Sequence, residues 1–470
     1  MFASHHESDL GEQNCLYCQK VSRQYRNVPP SNFVELLGHR SLEQSDKTAV
    51  TFLLDGENVT ESLTYKDLDG RARTLAVRLL EEISPGDRVL ILQPPGVEFV
   101  VSFFGCLYAG VVAVATYPPH KQRQVSRIEA IFEDAQPQMV LTSKALLSRM
   151  NSWLGKRAER LRAIYTEELA TAGSDGWQSP VLRPETLALL QYTSGSTGTP
   201  RGVMVTHGNI MANEEMIRQT FGQHEESSVV SWLPIYHDMG LIGNLLQPLY
   251  LGTSTVLMSP ASFLQKPVRW LSAVSRFRAR TTGGPNFAFD LCARAVTKEQ
   301  KAGLDLSCLE LLYSGAEPIE ASVLDRFAAA FRECGLRREA LFACYGLAEA
   351  TVLATGGGLR TGPNYLQVDT DLLQSGRGVP VTFLISAARP WLAAASLRLV
   401  RTFALSIQSR KESYRKVKSA RSGSAVRTSR LATGATMPIP ASFAAQASRT
   451  VKKVFFEPVT LVSCMPASFM

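Results

Sequence analysis

The segment from Thr193 to Gly202, TSGSTGTPRG, carries residue types that bind phosphate groups. It follows the apolar run LALLQY, and its glycines let the backbone fold tightly enough for N–H and hydroxyl donors to converge on one anion. Arg201 adds a planar cation that matches phosphate oxygens. The GxxxxGK[ST] spacing of a Walker loop is absent, since Pro200 and Val203 stand where its second glycine would be. A flexible surface turn is the alternative interpretation. The predicted phosphate-binding residues of this loop are Thr193, Ser194, Gly195, Ser196, Thr197 and Gly198.

His237 and Asp238 occupy a turn within SWLPIYHDMGLIGNLLQPLYLG, between a strand-like run and an apolar helix. We expect the imidazole, and the indole of Trp232, to face whatever lies beyond the end of that strand. A histidine in an apolar setting more commonly has a structural role, which is the alternative here.

Two further segments, LLYSGAEPI and LFACYGLAEATV, place small, aromatic and acidic residues directly after strand-like runs. An aromatic ring with small neighbours can stack on a purine, and a carboxylate at the same level can hold Mg²⁺ between phosphates. The candidate binding residues of these segments are Gly315, Ala316, Glu317, Tyr345, Gly346 and Glu349.

The runs that precede these residues alternate with helical patterns, as βαβ units require. GDRVLIL, VVAVAT and PQMVLTS are typical of short buried strands, whereas VEFVVSFFGCLYAG and IEAIFEDAQ have the pattern of helices. Such alternation predicts an α/β fold with mainly parallel sheets covered by helices. Ligands of these sheets bind beyond the carboxyl ends of the strands, where the candidate residues stand.

Composition indicates a globular protein without a membrane span. The 470 residues are 45% apolar and 20% charged, and no apolar run is long enough to cross a bilayer. The N-terminus lacks the regions of a secretory signal, so we expect a cytoplasmic protein with a mobile extension over residues 1–30. The eight cysteines are mostly scattered, which favours free thiols. Cys15 and Cys18 form a CxxC pair, but no second pair with metal-ligand spacing follows.

Four segments together resemble the signature segments of the adenylate-forming superfamily, and most closely those of fatty-acyl-AMP ligases. They are YTSGSTGTPRGVMVTHGNI, WLPIYHDMGLIGNLLQPLYLG, LLYSGAEPI and ACYGLAEATV, and the resemblance covers residues 31–380. It implies an adenylate-forming N-terminal domain that uses ATP and Mg²⁺.

The resemblance also implies a role for each candidate residue. The loop from Thr193 would clamp the triphosphate of ATP, with Arg201 where the family usually has lysine. Tyr345 would stack on the adenine, Glu349 would bind Mg²⁺ with Thr197 as a further candidate ligand, and His237 would border the acyl channel. The residues that the resemblance places along the nucleotide base are Gly315, Ala316, Glu317, Tyr345 and Gly346.

The implied reaction is attack of a fatty-acid carboxylate on the α-phosphate of ATP, which gives acyl-adenylate and pyrophosphate. Cations and N–H donors that neutralise the phosphates would supply most of the catalysis. Residues Gly356–Pro380 resemble an insertion of fatty-acyl-AMP ligases, a branch that passes the acyl group to an acyl carrier protein or to a polyketide or peptide synthase module. An acyl-CoA ligase and an amino-acid adenylation domain remain alternatives. Neither nucleic acid nor a membrane is expected as a partner.

The end of the chain differs from the rest in charge. Residues 381–470 contain 14 Lys and Arg against two acids, a net charge of +12, whereas the 36 cations and 40 acids before them sum to −4. A tail that binds nucleic acid is one interpretation of this charge. The family resemblance instead implies a β-rich subdomain with an Asp for the ATP ribose, followed by a small C-terminal domain, and their motifs are not visible here.

A shift of reading frame is the hypothesis that explains both features. One permitted encoding of Ser419–Gly434, read from the third base of each codon, translates as GEIWVRGPHVATGYW, which resembles the missing family segment. The same frame permits VDPES over Leu405–Arg410 and RTGDLGFL over Phe456–Cys464, in family order. We therefore expect an out-of-frame, disordered tail over residues 381–470. A chain without the ribose Asp and the C-terminal domain should have little or no adenylation activity.

Overall fold

A computed structural model describes residues 29–119, 125–148, 162–167, 176–193, 200–368 and 389–392. The predicted N-terminal extension lies outside these ranges apart from residues 29 and 30, and so does the predicted tail apart from residues 389–392. The expected disorder of both segments therefore stays a prediction.

Two sheets organise the chain. The strands are β1 Thr48–Leu53, β2 Val59–Thr64, β3 Arg88–Ile91, β4 Val112–Ala115, β5 Met139–Thr142, β6 Arg162–Tyr165, β7 Leu187–Thr193, β8 Arg201–Thr206, β9 Val229–Ser231, β10 Thr255–Met258, β11 Thr281–Gly284, β12 Leu311–Ser314, β13 Leu341–Gly346, β14 Leu353–Gly356, β15 Tyr365–Val368 and β16 Arg389–Leu392. The eight-stranded sheet has the order β14-β13-β12-β11-β9-β10-β1-β2, and the six-stranded sheet has the order β6-β5-β3-β4-β7-β8. Neighbouring strands are parallel except where β2, β8 and β14 pair at the sheet edges. β15 and β16 form a separate antiparallel pair.

Helices connect most of the strands. They are α1 Phe33–Glu43, α2 Tyr65–Leu80, α3 Val97–Tyr108, α4 Val125–Ala135, α5 His207–Phe221, α6 Asp238–Leu241, α7 Gln247–Leu251, α8 Pro260–Gln265, α9 Val268–Phe277, α10 Asn286–Ala295, α11 Lys298–Lys301 and α12 Ala321–Phe331. A π-helical turn, Ile242–Leu246, joins α6 to α7, and 3₁₀ turns span Arg332–Cys334, Arg338–Ala340 and Ala348–Ala350.

Local signals fix where the helix that follows the phosphate-loop segment begins and ends. Thr206 accepts a hydrogen bond from the Asn209 N–H while the Asn209 side chain accepts from the Thr206 N–H, which forms a capping box at the start of α5. The helix ends at Gly222, whose φ of 58° lies in the left-handed region that favours glycine. Because Thr206 is also the last residue of β8, strand and helix follow each other without a loop.

The predicted α/β fold is confirmed. The runs GDRVLIL, VVAVAT and PQMVLTS form β3, β4 and β5, which are parallel neighbours in the six-stranded sheet. The apolar helix predicted between the first two is α3, which is buried at every position except Glu98. The described cysteines, Cys106, Cys292, Cys308, Cys334 and Cys344, are free thiols. Within the described ranges, no helix has the length and apolar character needed to cross a membrane.

Replacing Gly105 tests the packing of α3 on α2. An added Cβ at Gly105 would lie 2.9 Å from the Leu75 Cβ, so the backbones of the two helices would have to separate. We expect Gly105→Ala to destabilise the fold by about 1–3 kcal/mol through overpacking. Gly38→Ala is the matched control, because no atom lies within 4 Å of an added Cβ there and alanine favours a helix interior by about 0.5–1 kcal/mol. Thermal unfolding of both variants checks the prediction, and an unchanged midpoint for Gly105→Ala would contradict it.

Candidate active site

The phosphate-loop segment connects β7 to β8 as a hairpin, and the pair Thr193 and Arg201 forms its mouth. Behind this pair Tyr192 faces Gly202, where a Cβ would lie 3.0 Å from the tyrosine ring, so the glycine lets the strands close. The Tyr192 hydroxyl donates to Asp134 of α4 at 2.5 Å, and burial, together with that carboxylate, raises the pKa of Tyr192. Arg201 is exposed. The predicted residues between the strands, Ser194, Gly195, Ser196, Thr197 and Gly198, lie outside the described residues.

Gln191 ties this hairpin to the eight-stranded sheet. Its Nε2 donates to the carbonyl oxygen of Tyr236 at 3.0 Å, and the residue is only 3% exposed. The Tyr236 ring also lies 5.6 Å from the ring of Tyr117, which follows β4. The base of the phosphate loop is therefore held beside His237. The Oε1 atom of Gln191 is buried and has no hydrogen-bond donor in the described part of the chain.

His237 is oriented by the residue that follows it. Its Nδ1 lies 2.6 Å from Asp238 Oδ1, and the Met239 N–H donates to the same carboxylate at 2.6 Å. Donation from Nδ1 to the carboxylate leaves Nε2 as the ring nitrogen that can meet a ligand. Burial acts to lower the pKa of His237, and Arg127 acts in the same direction, but the charge and hydrogen bond of Asp238 outweigh them and raise it. The imidazole is 27% exposed, so a ligand can reach it.

The expectation that Trp232 faces the site was wrong. Its indole is fully buried and stacks on Phe263 at a centroid distance of 4.0 Å, with Trp270 packed edge-on at 6.1 Å. The side chain belongs to the aromatic core beneath the sheet edge. Trp232 follows the end of a strand, but burial of its apolar ring among other aromatic rings determines the direction in which the side chain points.

The loop after β12 is locked to the start of α10. The Glu317 carboxylate accepts from the Phe287 N–H at 2.6 Å, and Asn286 Oδ1 accepts from the Glu320 N–H at 3.3 Å. Pro285, the N-cap residue of α10, offers no side-chain acceptor, so Glu317 supplies one from another segment. Burial raises the pKa of Glu317, while the N–H groups of Phe287 and Asn286 oppose that shift. The carboxylate thus positions the loop.

Gly315 and Ala316 give this loop its shape. A Cβ at Gly315 would lie 2.9 Å from Cys344 Sγ, so the loop passes directly over β13. Ala316 has a φ of 69°, a strained conformation for a residue other than glycine that recurs at binding sites. Because the Glu317 carboxylate is engaged by α10, it is less available to a ligand than the backbone of Gly315 and Ala316.

Tyr345 and Gly346 end β13, and Glu349 follows in a 3₁₀ turn. Burial raises the pKa of Tyr345 and the negative charge of Glu349 adds to the effect, which places the carboxylate near the half-buried phenol. A Cβ at Gly346 would overlap the carbonyl oxygen of Val352, so only glycine fits at this position. Glu349 is exposed. An aromatic ring beside an exposed carboxylate suits a purine beside Mg²⁺.

These segments follow the carboxyl ends of strands in the eight-stranded sheet. His237 follows β9, Gly315 follows β12 and Glu349 lies beyond β13, and these strands belong to the parallel part of the sheet. The carboxyl ends of parallel strands lie on the same side, where ligands of α/β sheets bind. The hairpin of the six-stranded sheet joins this side through the Gln191 hydrogen bond.

Sequence reasoning missed three polar residues at the site. Gln191 binds the Tyr236 carbonyl, Arg127 of α4 acts on the charge of His237, and Asn213 of α5 binds the turn after Glu349. The sequence did offer a signal for Gln191, because a glutamine is unusual within an apolar run such as LALLQY. The other two stand in amphipathic helices, where polar residues are ordinary.

The family described as "AMP-binding enzyme" matches residues 38–383. The chain belongs to this family, and the resemblance to adenylate-forming enzymes is confirmed.

Named relatives are fatty-acid ligases. A medium-chain-fatty-acid–[acyl-carrier-protein] ligase of Moorena producens is 43% identical over 331 residues, which is 69% of this chain and 56% of the relative. A long-chain-fatty-acid–AMP ligase of Mycobacterium marinum is 36% identical over 371 residues, or 77% of this chain and 59% of the relative. The fatty acyl-adenylate ligase of Legionella pneumophila, solved with acyl adenylate and pyrophosphate, is 37% identical with a TM-score of 0.74, covering 78% of this chain and 64% of that one. This chain spans less than two thirds of the length of each.

Substitution of Asp238 tests the electrostatics of His237. Asp238→Asn removes the charge that raises the pKa of His237 and leaves burial and Arg127, which both lower it. We therefore expect the pKa to fall from above the ordinary histidine value to below it, as measured by NMR titration of the ring protons. His207, whose pKa burial lowers to about 4, is the internal reference and should not change.

The same substitution has a consequence for stability. A histidine whose folded-state pKa is raised stabilises the fold fully below its unfolded pKa, and that contribution is lost as pH rises through the folded value. Asp238→Asn should therefore remove the contribution of His237 to the free energy of unfolding at acidic pH. A His237 titration that is unchanged in the variant would contradict the assigned role of Asp238.

Proposed function

We propose that this chain carries the ATP- and fatty-acid-binding part of a fatty-acyl-AMP ligase. The observation that carries the proposal is the Gln191–Tyr236 hydrogen bond, which joins the hairpin that bears Arg201 to the sheet whose strand β13 leads to Tyr345 and Glu349. A cation, an aromatic ring and a carboxylate are the groups that a triphosphate, a purine and Mg²⁺ require. Relatives named as ligases that join fatty acids to AMP or to acyl carrier protein support the same class.

In the proposed reaction a carboxylate oxygen of the fatty acid attacks the α-phosphorus of ATP. A new P–O bond forms the acyl-adenylate as the bond to the bridging oxygen breaks, and pyrophosphate leaves with that electron pair. Arg201 and the N–H groups of the hairpin loop would hold the departing phosphates. Tyr345 would hold the adenine against the backbone of Gly315 and Ala316.

The donor set fits a Mg²⁺ ion that is bound mainly through ATP. Within the described ranges, no group of three or more His, Cys, Asp and Glu side chains could form a protein-only metal site. Mg²⁺ commonly binds through one or two carboxylates together with phosphates and water, so the exposed Glu349 is sufficient as a protein ligand. The bound ion would neutralise phosphate charge. Thr197, the second predicted ligand, lies outside the described residues.

His237 would meet the carboxylate at the polar end of the acyl channel. Because Asp238 engages Nδ1 and raises the pKa of His237, the ring keeps a positive charge to a higher pH than an ordinary histidine. An imidazolium that donates from Nε2 can orient a fatty-acid carboxylate for attack. Arg127 of α4 also acts on this ring, and its charge opposes the rise in the pKa of His237.

We further propose that the acyl group passes to an acyl carrier protein. Within the segment predicted to be the insertion of this branch, the Tyr365 hydroxyl donates to Asp325 of α12 at 3.1 Å. Arg338 pairs with the same carboxylate at 3.0 Å and stacks over the Tyr365 ring at 5.6 Å. Two relatives are named as ligases to acyl carrier protein.

We also propose that the basic tail is an out-of-frame translation. The family match ends at residue 383, close to the point where the excess of cations begins and the acids almost disappear. The charge of the tail would then come from misread codons and would carry no binding function.

Fatty-acid-dependent ATP–pyrophosphate exchange tests the function. The chain as written should show little or no exchange, whereas the chain with its frame restored after residue 380 should exchange with fatty acids and transfer the product to an acyl carrier protein. Glu349→Gln in the restored chain should lower exchange at least about tenfold through loss of Mg²⁺. Exchange with amino acids alone, or with no acid, would overturn the proposal, and transfer to CoA instead would assign the acyl-CoA branch.

The DNA across codons 378–390 tests the account of the tail. It should show one missing base or two extra bases, and the alternative frame should encode GEIWVRGPHVATGYW. Stop codons in that frame would rule the account out. Salt-sensitive nucleic-acid binding that disappears on deletion of residues 381–470 would assign the tail a function of its own.

A further inference from the structure

Asn213 makes three hydrogen bonds to the turn that follows Glu349. Its Nδ2 donates to the carbonyl oxygens of Ala350 at 3.2 Å and Leu353 at 3.0 Å, and its Oδ1 accepts from the Leu353 N–H at 3.1 Å. These partners fix the orientation of the amide, since only its donor side can face two carbonyls. The side chain is buried, at 6% exposure. The Asn213 side chain therefore holds the backbone of the turn in place, and we call it a clamp.

The clamped turn holds an unfavourable conformation. Thr351 has a φ of 77° and a ψ of −66°, the angles of a classic γ-turn, which is rare and strained. Threonine is β-branched and disfavours positive φ. Such a conformation persists only when the surroundings over-determine it, and it costs about 1–3 kcal/mol. The Leu347 N–H donates to the Val352 carbonyl at 2.9 Å within the turn itself, whereas Asn213 holds the turn from a different element.

The clamp connects two parts of the site that belong to different sheets. Arg201 stands at the mouth of the phosphate-loop hairpin, β8 runs from it to Thr206, and α5 begins at the next residue. Asn213 therefore lies on the helix that continues the hairpin without a loop. Its hydrogen bonds reach a turn 140 residues later in the sequence, beyond β13 of the other sheet.

We propose that Asn213 is a positioning residue that sets the separation between the phosphate-loop hairpin and Glu349. It touches neither nucleotide nor metal; it holds the turn at Thr351 so that the Glu349 carboxylate stands where Mg²⁺ on the triphosphate can reach it. The inference rests on the proposed function. It predicts that loss of Asn213 weakens the contribution of Mg²⁺ to ATP binding more than the binding of ATP itself.

Calorimetric titration of the full chain with ATP, with and without Mg²⁺, tests the proposal. In Asn213→Ala we expect the tightening of ATP binding by Mg²⁺ to fall by about 10- to 100-fold, as for residues that support metal ligands, with metal-free ATP affinity retained. Asn209→Ala is the matched control. It removes the capping hydrogen bond that the Thr206 N–H donates to Asn209 Oδ1 at 3.3 Å in the same helix, and leaves the Glu349 turn alone. It should lower the thermal midpoint and keep the Mg²⁺ effect.

Hydrogen exchange over residues 347–353 gives a second readout that needs no nucleotide. Exchange should accelerate in Asn213→Ala and stay unchanged in Asn209→Ala. If Asn213→Ala does not fold, Asn213→Ser, which keeps a hydroxyl in the site, carries the same expectations. An equal Mg²⁺ effect in both variants, or unchanged exchange in Asn213→Ala, overturns the proposal. A wild-type chain without Mg²⁺-dependent ATP binding overturns the proposed function instead, and the exchange experiment still decides whether Asn213 holds the turn.

Discussion

One part-buried hydrogen bond, from Gln191 Nε2 to the carbonyl oxygen of Tyr236, joins the two sheets at the candidate site. Gln191 lies two residues before Thr193 at the mouth of the phosphate-loop hairpin, and Tyr236 directly precedes His237. Without this donor a part-buried carbonyl would lose one hydrogen bond, at a cost of about 0.5–1.5 kcal/mol. This amide, together with the packing of Tyr236 on Tyr117, holds the phosphate loop beside the imidazole.

Around this junction, a side-chain hydrogen bond holds each part of the site. Asp238 fixes the ring of His237, Glu317 caps α10 and Asn213 clamps the turn after Glu349. Such supporting contacts reduce the reorganisation that a ligand must drive on binding, which is how sites on loops achieve defined geometry. The strained conformations of Ala316 and Thr351 are stabilised by the same contacts.

The sequence was informative wherever a chemical motif followed an apolar run. The strand pattern around GDRVLIL and VVAVAT predicted the parallel sheet, and the placement of His237, Gly315 and Glu349 after strands is borne out by β9, β12 and β13. Trp232 was misjudged because position at a strand end says nothing about which face an aromatic ring packs against.

The clamps could not be foreseen for a different reason. The partner of Gln191 lies 45 residues away and that of Asn213 lies 140 residues away, and both partners are backbone atoms, which leave no trace in side-chain patterns. The loop residues Ser194–Gly198 and the basic tail lie outside the described residues, so their roles rest on sequence and family resemblance.

The central claim is that residues of both sheets hold one Mg²⁺–ATP. A double-mutant cycle on the dissociation constant of Mg²⁺–ATP, with Arg201→Gln on the six-stranded sheet and Glu349→Gln on the eight-stranded sheet, tests it most directly. Shared contact with one ligand predicts a coupling of about 0.5–3 kcal/mol between the two substitutions. Effects that add to within about 0.3–0.5 kcal/mol would show that the two side chains act independently, which contradicts a common site.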